Sequence, residues 1–297
     1  MSLLGAIRIV CRKIVLSLLV ILTLFFLHSC GSQHPKDGLY QEFYPNGKLR
    51  LEANYKNGNI NGCLKSYYED GSLKGEYTYS DGRQDGLARE YYSNGAIQRE
   101  ANFKDDKADG PIRSYYETGQ LHGEALSRDD KLEGMVKEYY EDGRLKIETS
   151  IKNGILDGPS KEYYDNGQLK REAAYRDSKT EGLIRTYYED GALKGEASSK
   201  ENKLEGMVKE YYENGLLQRE IPFKEGKREG ALREYYKSGQ LRREIAFEDN
   251  LPQGITKTYY ETGVLRTEET FENGERVRLK YFNPSGQLVS DRTFSSS

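Results

Sequence analysis

The sequence predicts an all-β repeat protein: an elongated antiparallel β-meander of about eleven 24-residue hairpins in a twisted or curved single-layer sheet. Three observations predict it. An aromatic pair recurs at constant spacing, a turn dipeptide follows it at constant distance, and two columns of opposite charge face one another across each turn. The pairs are Phe43-Tyr44, Tyr67-Tyr68, Tyr91-Tyr92, Tyr115-Tyr116, Tyr139-Tyr140, Tyr163-Tyr164, Tyr187-Tyr188, Tyr211-Tyr212, Tyr235-Tyr236 and Tyr259-Tyr260, with Tyr281-Phe282 one or two residues out of phase. A fixed period of this size marks a stack in which no unit buries a core alone.

Composition agrees. Hydrophobic residues are 36% of the 297, below the usual share for a compact domain, and charged residues reach 31%. The 25 tyrosines supply much of the missing burial, being apolar through the ring and polar at the tip. The net charge is −3, and Arg8, Arg12 and Lys13 of the N-terminal segment mask a more acidic remainder. With no basic patch, nucleic acid is not an expected partner.

Residues 1–29 read as an address. Arg8, Arg12 and Lys13 precede an apolar run from Ile14 to Leu27, shorter than a spanning helix needs, and Leu27-His28-Ser29-Cys30 closes it. The helical run reads as a signal peptide, and the ending resembles a bacterial lipoprotein lipobox. That resemblance implies cleavage after Ser29 and lipid on Cys30, with an uncleaved signal anchor as the alternative. Both place the repeats outside the cytoplasm, at a bacterial cell envelope and on a membrane. Residues 30–37 then form a lipidated polar tether, 38–280 the ten repeats, and 281–297 a degenerate capping repeat. Cys63 is the one thiol left in the repeats, so no intrachain disulfide is expected there; it stands where other repeats carry Leu87, Met135 or Leu183 and reads as a small hydrophobe.

Within one repeat, Asn46-Gly47, Asp70-Gly71, Asn94-Gly95 and their equivalents predict hairpins closed by two-residue type I′ turns, followed by a short strand and a polar loop. Such a turn sets position 41 against 52. The first column then holds Gln41, Lys65, Arg89, Arg113, Lys137, Lys161, Arg185, Lys209, Arg233 and Lys257, and the second holds glutamate every time, including Glu76, Glu100, Glu148 and Glu220. The next pair covaries: Glu90, Glu162, Glu210 and Glu234 face Arg99, Arg171, Arg219 and Arg243, whereas Ser66, Ser114 and Thr186 face Gly75, Gly123 and Gly195. Opposite charges across a strand pair stabilise it, so the register is supported from within the sequence.

Strand alternation sorts the faces. Tyr40/Leu64/Val136, Tyr44/Tyr68/Tyr92, Leu49/Leu73/Ile97, Ala53/Ala101 and Tyr55/Phe103/Phe223 make an apolar face. The other takes the Lys–Glu ladder, the Arg50-type residues and the first aromatic of each pair. Its candidate binding residues are Tyr67, Tyr91, Tyr115, Tyr139, Tyr163, Tyr187, Tyr211 and Tyr235. Lys131–Glu141 and Lys203–Glu213 are the same eleven residues, a trace of copying that argues against a unique site.

The run Tyr-Tyr-x-Asn/Asp-Gly-x-Leu-Lys-x-Glu, followed by Asn/Asp-Gly-x-x-Asp-Gly, resembles the bacterial variant of the MORN repeat over residues 38 to about 290. The resemblance implies stacked antiparallel hairpins. It also implies a YwqK-type antitoxin label, and, from MORN repeats elsewhere, protein scaffolding or phospholipid contact. A secreted lipoprotein sits badly with neutralising a cytoplasmic toxin.

Catalytic and metal chemistry are not expected, nor any cofactor. His28, His34 and His122 have no Cys or His at metal-ligand spacing. Asp85-Gly86, Asp109-Gly110 and Asp157-Gly158 invite a calcium reading but lack the alternating acids of a calcium loop, and read as turns. The expected function is an envelope-tethered protein-interaction surface. The alternatives are an antitoxin-like role and binding of cell-wall glycan or phospholipid headgroups.

Overall fold

The computed structural model describes residues 35–294. The expected signal peptide, Ser29 and Cys30 lie outside the described residues. The described chain is all β, and its strands divide between two compact units that part between Leu156 and Asp157. The first holds the strands from Gly38–Phe43 to Leu145–Lys152; the second holds those from Asp157 in Ile155–Tyr163 to Leu288–Thr293. In each unit successive strands pair antiparallel, as a meander requires. In the second unit three first strands are each split in two, both pieces pairing with the strand before, as Lys179–Thr180 and Gly182–Tyr187 pair with Leu169–Arg176.

The predicted register holds. Gln41 faces Glu52, Lys65 faces Glu76 and Arg89 faces Glu100, while Gly38, Gly62 and Gly86 face Tyr55, Tyr79 and Phe103. The covarying pairs are neighbours too: Glu90 opposes Arg99, Glu210 opposes Arg219 and Ser66 opposes Gly75.

The turns that produce this register differ from expectation. Asn46-Gly47 is not a type I′ turn, because only the glycine has positive φ (82°). Pro45, Asn46 and Gly47 make a three-residue loop in which Gly47 N–H donates to Tyr44 O (2.9 Å) and Tyr44 N–H donates to Lys48 O (2.8 Å). This is a turn closed by a glycine bulge residue. The asparagine is there for its side chain, whose Oδ1 accepts from Lys48 N–H at 3.0 Å. A three-residue loop would shift the strands by one position, and a bulge restores them: Glu42 faces Leu51 and Phe43 faces Leu49, leaving Arg50 over. Two departures cancel.

The type I′ turns lie at the other end of the repeat, where a polar loop was expected. Asn57-Gly58, Asp81-Gly82, Asp105-Asp106 and Glu201-Asn202 have positive φ at both residues. Each joins one hairpin to the next, so successive strands run on with no loop between. Asp85-Gly86 and Asp109-Gly110 are likewise not turns: they lie inside the strands Arg83–Tyr91 and Lys107–Tyr115, at bulges against the preceding strand.

The bulge also overturns two face assignments. The Leu49-type residues, expected on the apolar face, pair with the first aromatics on the ladder face: Leu49 with Phe43, Leu73 with Tyr67 and Ile97 with Tyr91. The Arg50-type residues leave that face. Strict alternation puts the Arg50-type residues with the ladder, but the extra residue turns them over. Lys170 Nζ reaches Glu162 (2.6 Å) and lies 5.5 Å from the Tyr164 ring centre, on the second-tyrosine side.

The apolar face provides the core in both units. Ala53, Leu64, Ala88, Ala101 and Val136 are buried in the first, and Ile184, Ala197, Val208 and Leu232 in the second. Cys63 sits outside that core and is exposed. The last hairpin departs from the pattern. Its strand Glu275–Phe282 carries a smaller bulge, with Val277 left over opposite Thr270 and Phe271, which puts the aromatic pair early. Asn283 stands where a second tyrosine is expected, and its Oδ1 accepts from Ser285 and Gln287 N–H.

Gly75 shows how neighbouring columns constrain each other. A Cβ there would lie 2.4 Å from the Tyr77 hydroxyl, because Tyr77 occupies a place held by Ala53 and Ala101 in adjacent repeats. Gly75→Ala is therefore expected to cost about 1–3 kcal/mol by overpacking, and much less in a Tyr77→Ala background. Urea unfolding of the four variants of that cycle checks it, and simple additivity would refute the contact.

Candidate interaction face

The first tyrosines are positioned by the strand end just before each three-residue loop. Their hydroxyls do not point away from the protein. Tyr67 donates to Glu52 (2.8 Å), Tyr91 to Glu76 (2.8 Å), Tyr115 to Glu100 (2.9 Å) and Tyr139 to Glu124 (2.8 Å). In the second unit Tyr187 donates to Glu172 (2.8 Å), Tyr211 to Glu196 (3.1 Å) and Tyr235 to Glu220 (3.1 Å). Each bond joins a repeat to the one before it. Tyr163 holds the equivalent position opposite Leu169 and is half-buried like the others.

The ladder is double-sided for the same reason. Each base lies between two glutamates, one in its own hairpin and one in the preceding repeat. Lys65 reaches Glu76 (3.6 Å) and Arg89 reaches Glu100 (3.3 Å) within hairpins. Arg113 reaches back to Glu100 (3.4 Å), Lys137 to Glu124 (3.8 Å) and Lys209 to Glu196 (3.8 Å). Arg233 spans Glu220 and Glu244 (3.2 and 2.8 Å), and Glu148 faces Lys137 in the strand register. Partly exposed pairs of this kind contribute about 0–1 kcal/mol each. Their weight comes from repetition.

Sequence reasoning missed two contacts of the second tyrosine. Its hydroxyl donates to the backbone carbonyl of the first tyrosine in the next repeat: Tyr44 to Tyr67 O (2.7 Å), Tyr68 to Tyr91 O (2.7 Å), Tyr188 to Tyr211 O (2.7 Å) and Tyr212 to Tyr235 O (2.7 Å). The bulge cation lies over the same ring, as with Lys74 and Tyr68 (5.6 Å) or Lys194 and Tyr188 (5.1 Å). His122 occupies that bulge position in its repeat, with its ring 4.5 Å from Tyr116, and burial holds its pKa below the usual value. The constant offset of these pairs was visible in the sequence; the bulge that aims them was not.

The acids before the glycines that face the Tyr55-type column have structural partners. Asp37 accepts from Asn57 N–H (2.9 Å), Glu133 from Asn153 N–H (2.6 Å) and Glu229 from Asp249 N–H (3.0 Å), so these acids hold the turn at the far end of the same repeat. Arg83 pairs with Asp105 (2.7 Å) and Lys227 with Asp249 (2.8 Å). Among the described residues, no group of three or more His, Cys, Asp or Glu side chains is placed to hold a metal ion. No described helix is long and apolar enough to cross a membrane.

Hairpins of constant length, locked by tyrosine and glutamate columns, define a β-hairpin repeat protein. The chain belongs to the MORN repeat variant family, whose profile matches residues 36–57, 60–81, 84–105, 108–129, 132–153, 156–177, 180–201, 204–225, 228–249 and 252–273. No curated protein matches the chain. Among solved structures, TcdB2-TccC3-TEV is similar at 15% identity, over 82% of this chain and 15% of that one, with a TM-score of 0.19. The Photorhabdus luminescens Tc holotoxin pore gives the same identity, coverage and TM-score. This chain spans less than a fifth of the length of either, and at that score the likeness carries no argument.

The tyrosine–glutamate bonds set the pH response. Burial alone would raise Glu100, but the Tyr115 hydroxyl, Arg89 and Arg113 outweigh it and hold the carboxyl below its usual range. Its folded pKa is depressed, so its contribution is present above about pH 4.5 and lost as the pH falls. Glu100→Gln is expected to flatten the acid limb of a stability–pH curve measured by urea unfolding. Burial, then the Glu52 and Glu124 acceptors, push Tyr67 and Tyr139 up to about 12. Their contribution is complete below about pH 10 and lost between there and 12. Tyr139→Phe is expected to weaken that alkaline loss, read by circular dichroism along a pH series.

Proposed function

We propose that the chain is a non-catalytic protein-interaction or scaffold protein, tethered at a bacterial cell envelope through lipid on Cys30. The observation that carries the reading is the first-tyrosine face. Its rings are only half-buried, they stand in register with the Lys–Glu ladder, and the pattern recurs from repeat to repeat. Aromatic and arginine side chains anchor protein interfaces well, because they cover large areas at small entropic cost. Hydroxyls already bound to glutamate hold the rings in fixed orientations before any partner arrives, which lowers the cost of docking. The tether rests on the charged, apolar and Leu-x-Ser-Cys sequence of residues 8–30.

Crosslinking and mass spectrometry on intact cells would name the partner. Replacing Tyr187, Tyr211 and Tyr235 together by Ala is expected to remove those crosslinks, whereas replacement by Phe retains most of them. Crosslinks that persist in the Ala variant, or an Ala variant that no longer folds by circular dichroism, would sink the face as a site. Cys30→Ser is expected to release the chain from the membrane fraction.

A further inference from the structure

One column on the ladder face has no role in the contacts above. The residue after the glycine that faces each Tyr55-type position is Pro159, Leu183, Met207, Ala231 or Ile255 in the second unit. Three of them are 42%, 40% and 50% exposed (Leu183, Met207 and Ile255), while their neighbours Ile184, Val208 and Thr256 on the opposite face are 1–3% exposed. Leu39, Met135 and the exposed Cys63 continue the same pattern in the first unit. An exposed apolar side chain returning in most repeats, with Leu87 and Ala231 half-buried, is not the scatter of an ordinary surface.

The residues facing the three large members of this column are smaller, and Ala231 faces its equal. Leu183 opposes Ser198, Met207 opposes Pro222, Ala231 opposes Ala246 and Ile255 opposes Thr270. Along the stripe, bulkier and smaller side chains therefore tend to alternate strand by strand. The neighbouring ladder alternates in the same rhythm, with Arg185, Lys209 and Arg233 on first strands and Glu196, Glu220 and Glu244 on second strands. A partner matching both columns needs strands about 4.8 Å apart with the opposite order of size and charge.

We propose that this stripe is a self-association surface whose occupant is a second copy of the chain, packed face to face on a two-fold axis. The proposal rests on the interaction reading above and names the partner. Rotation about an axis parallel to the strands lays stripe on stripe and ladder on ladder. With the axis between a first and a second strand, each large residue meets a small one and each base meets an acid. One offset satisfies the apolar and the charged pattern together. A second copy has the required period by construction, and the contact is isologous, so it closes as a dimer.

Sedimentation of the full-length chain in a non-ionic detergent, over a concentration series, tests it. The wild type is expected to dimerise. Leu183→Glu, Met207→Glu and Ile255→Glu together are expected to weaken the dimer about tenfold or more with an unchanged circular dichroism spectrum. Ser198→Leu with Ala246→Leu is expected to weaken it too, although it adds apolar surface, because it fills the gaps that the large residues enter. A wild type monomeric throughout, or leucine variants that associate as well or better, would overturn the proposal. Intact-cell crosslinking separates this failure from that of the broader reading. Crosslinks only to another protein reject the dimer and keep an interaction face, whereas no crosslinks reject both.

Discussion

Within each unit, hairpins are held together by a tyrosine hydroxyl that reaches a backbone carbonyl 23 residues further on, or 22 at Tyr260. This bond depends on everything around it. The carbonyl belongs to the next first tyrosine, whose place is set by the three-residue loop and bulge, and the donor ring is covered by the bulge cation. A neutral hydrogen bond of this kind contributes about 1 kcal/mol net, so no single one holds the protein together. What matters is that the geometry tolerates no slippage. A residue inserted between donor and acceptor would displace the ring, the cation and the tyrosine–glutamate bond on the other face, which explains the unbroken period.

The two faces divide the work between backbone and side chain. The second tyrosine satisfies a carbonyl at the strand end, where ladder hydrogen bonds run out. The first tyrosine satisfies a carboxylate that already serves arginine or lysine. Glu100 takes donors from its own hairpin and from the next, so one carboxylate joins strands in two repeats. The alternation of acid and base by strand, which looks like solubilising surface charge, is a register device.

The strand register was legible because it rests on pairs that vary together, as Glu90 with Arg99 and Ser66 with Gly75. The turn chemistry was not. Asn46-Gly47 has the composition of a type I′ turn, yet its asparagine serves as a side-chain acceptor and only its glycine takes positive φ. Asp105-Asp106 and Glu201-Asn202 have weaker turn signals and adopt that conformation, because the flanking strands are held on both sides. The bulge at Arg50 was hidden because it exactly offsets the longer loop. The tyrosine columns were visible as a pattern, but their hydrogen-bond partners lie in the adjoining repeats, where a reading of one hairpin cannot look.

Because the tyrosine latch at Tyr188 and the glutamate acceptor at Glu172 each refer only to a neighbouring repeat, the interior joints within a unit are chemically alike. Copying one or several whole repeats within the gene therefore creates no mismatched seam. The identical segments Lys131–Glu141 and Lys203–Glu213 fit such an event. Length becomes a quantity that recombination can change in whole steps while each intermediate still folds, and reach can be tuned without redesigning a single contact.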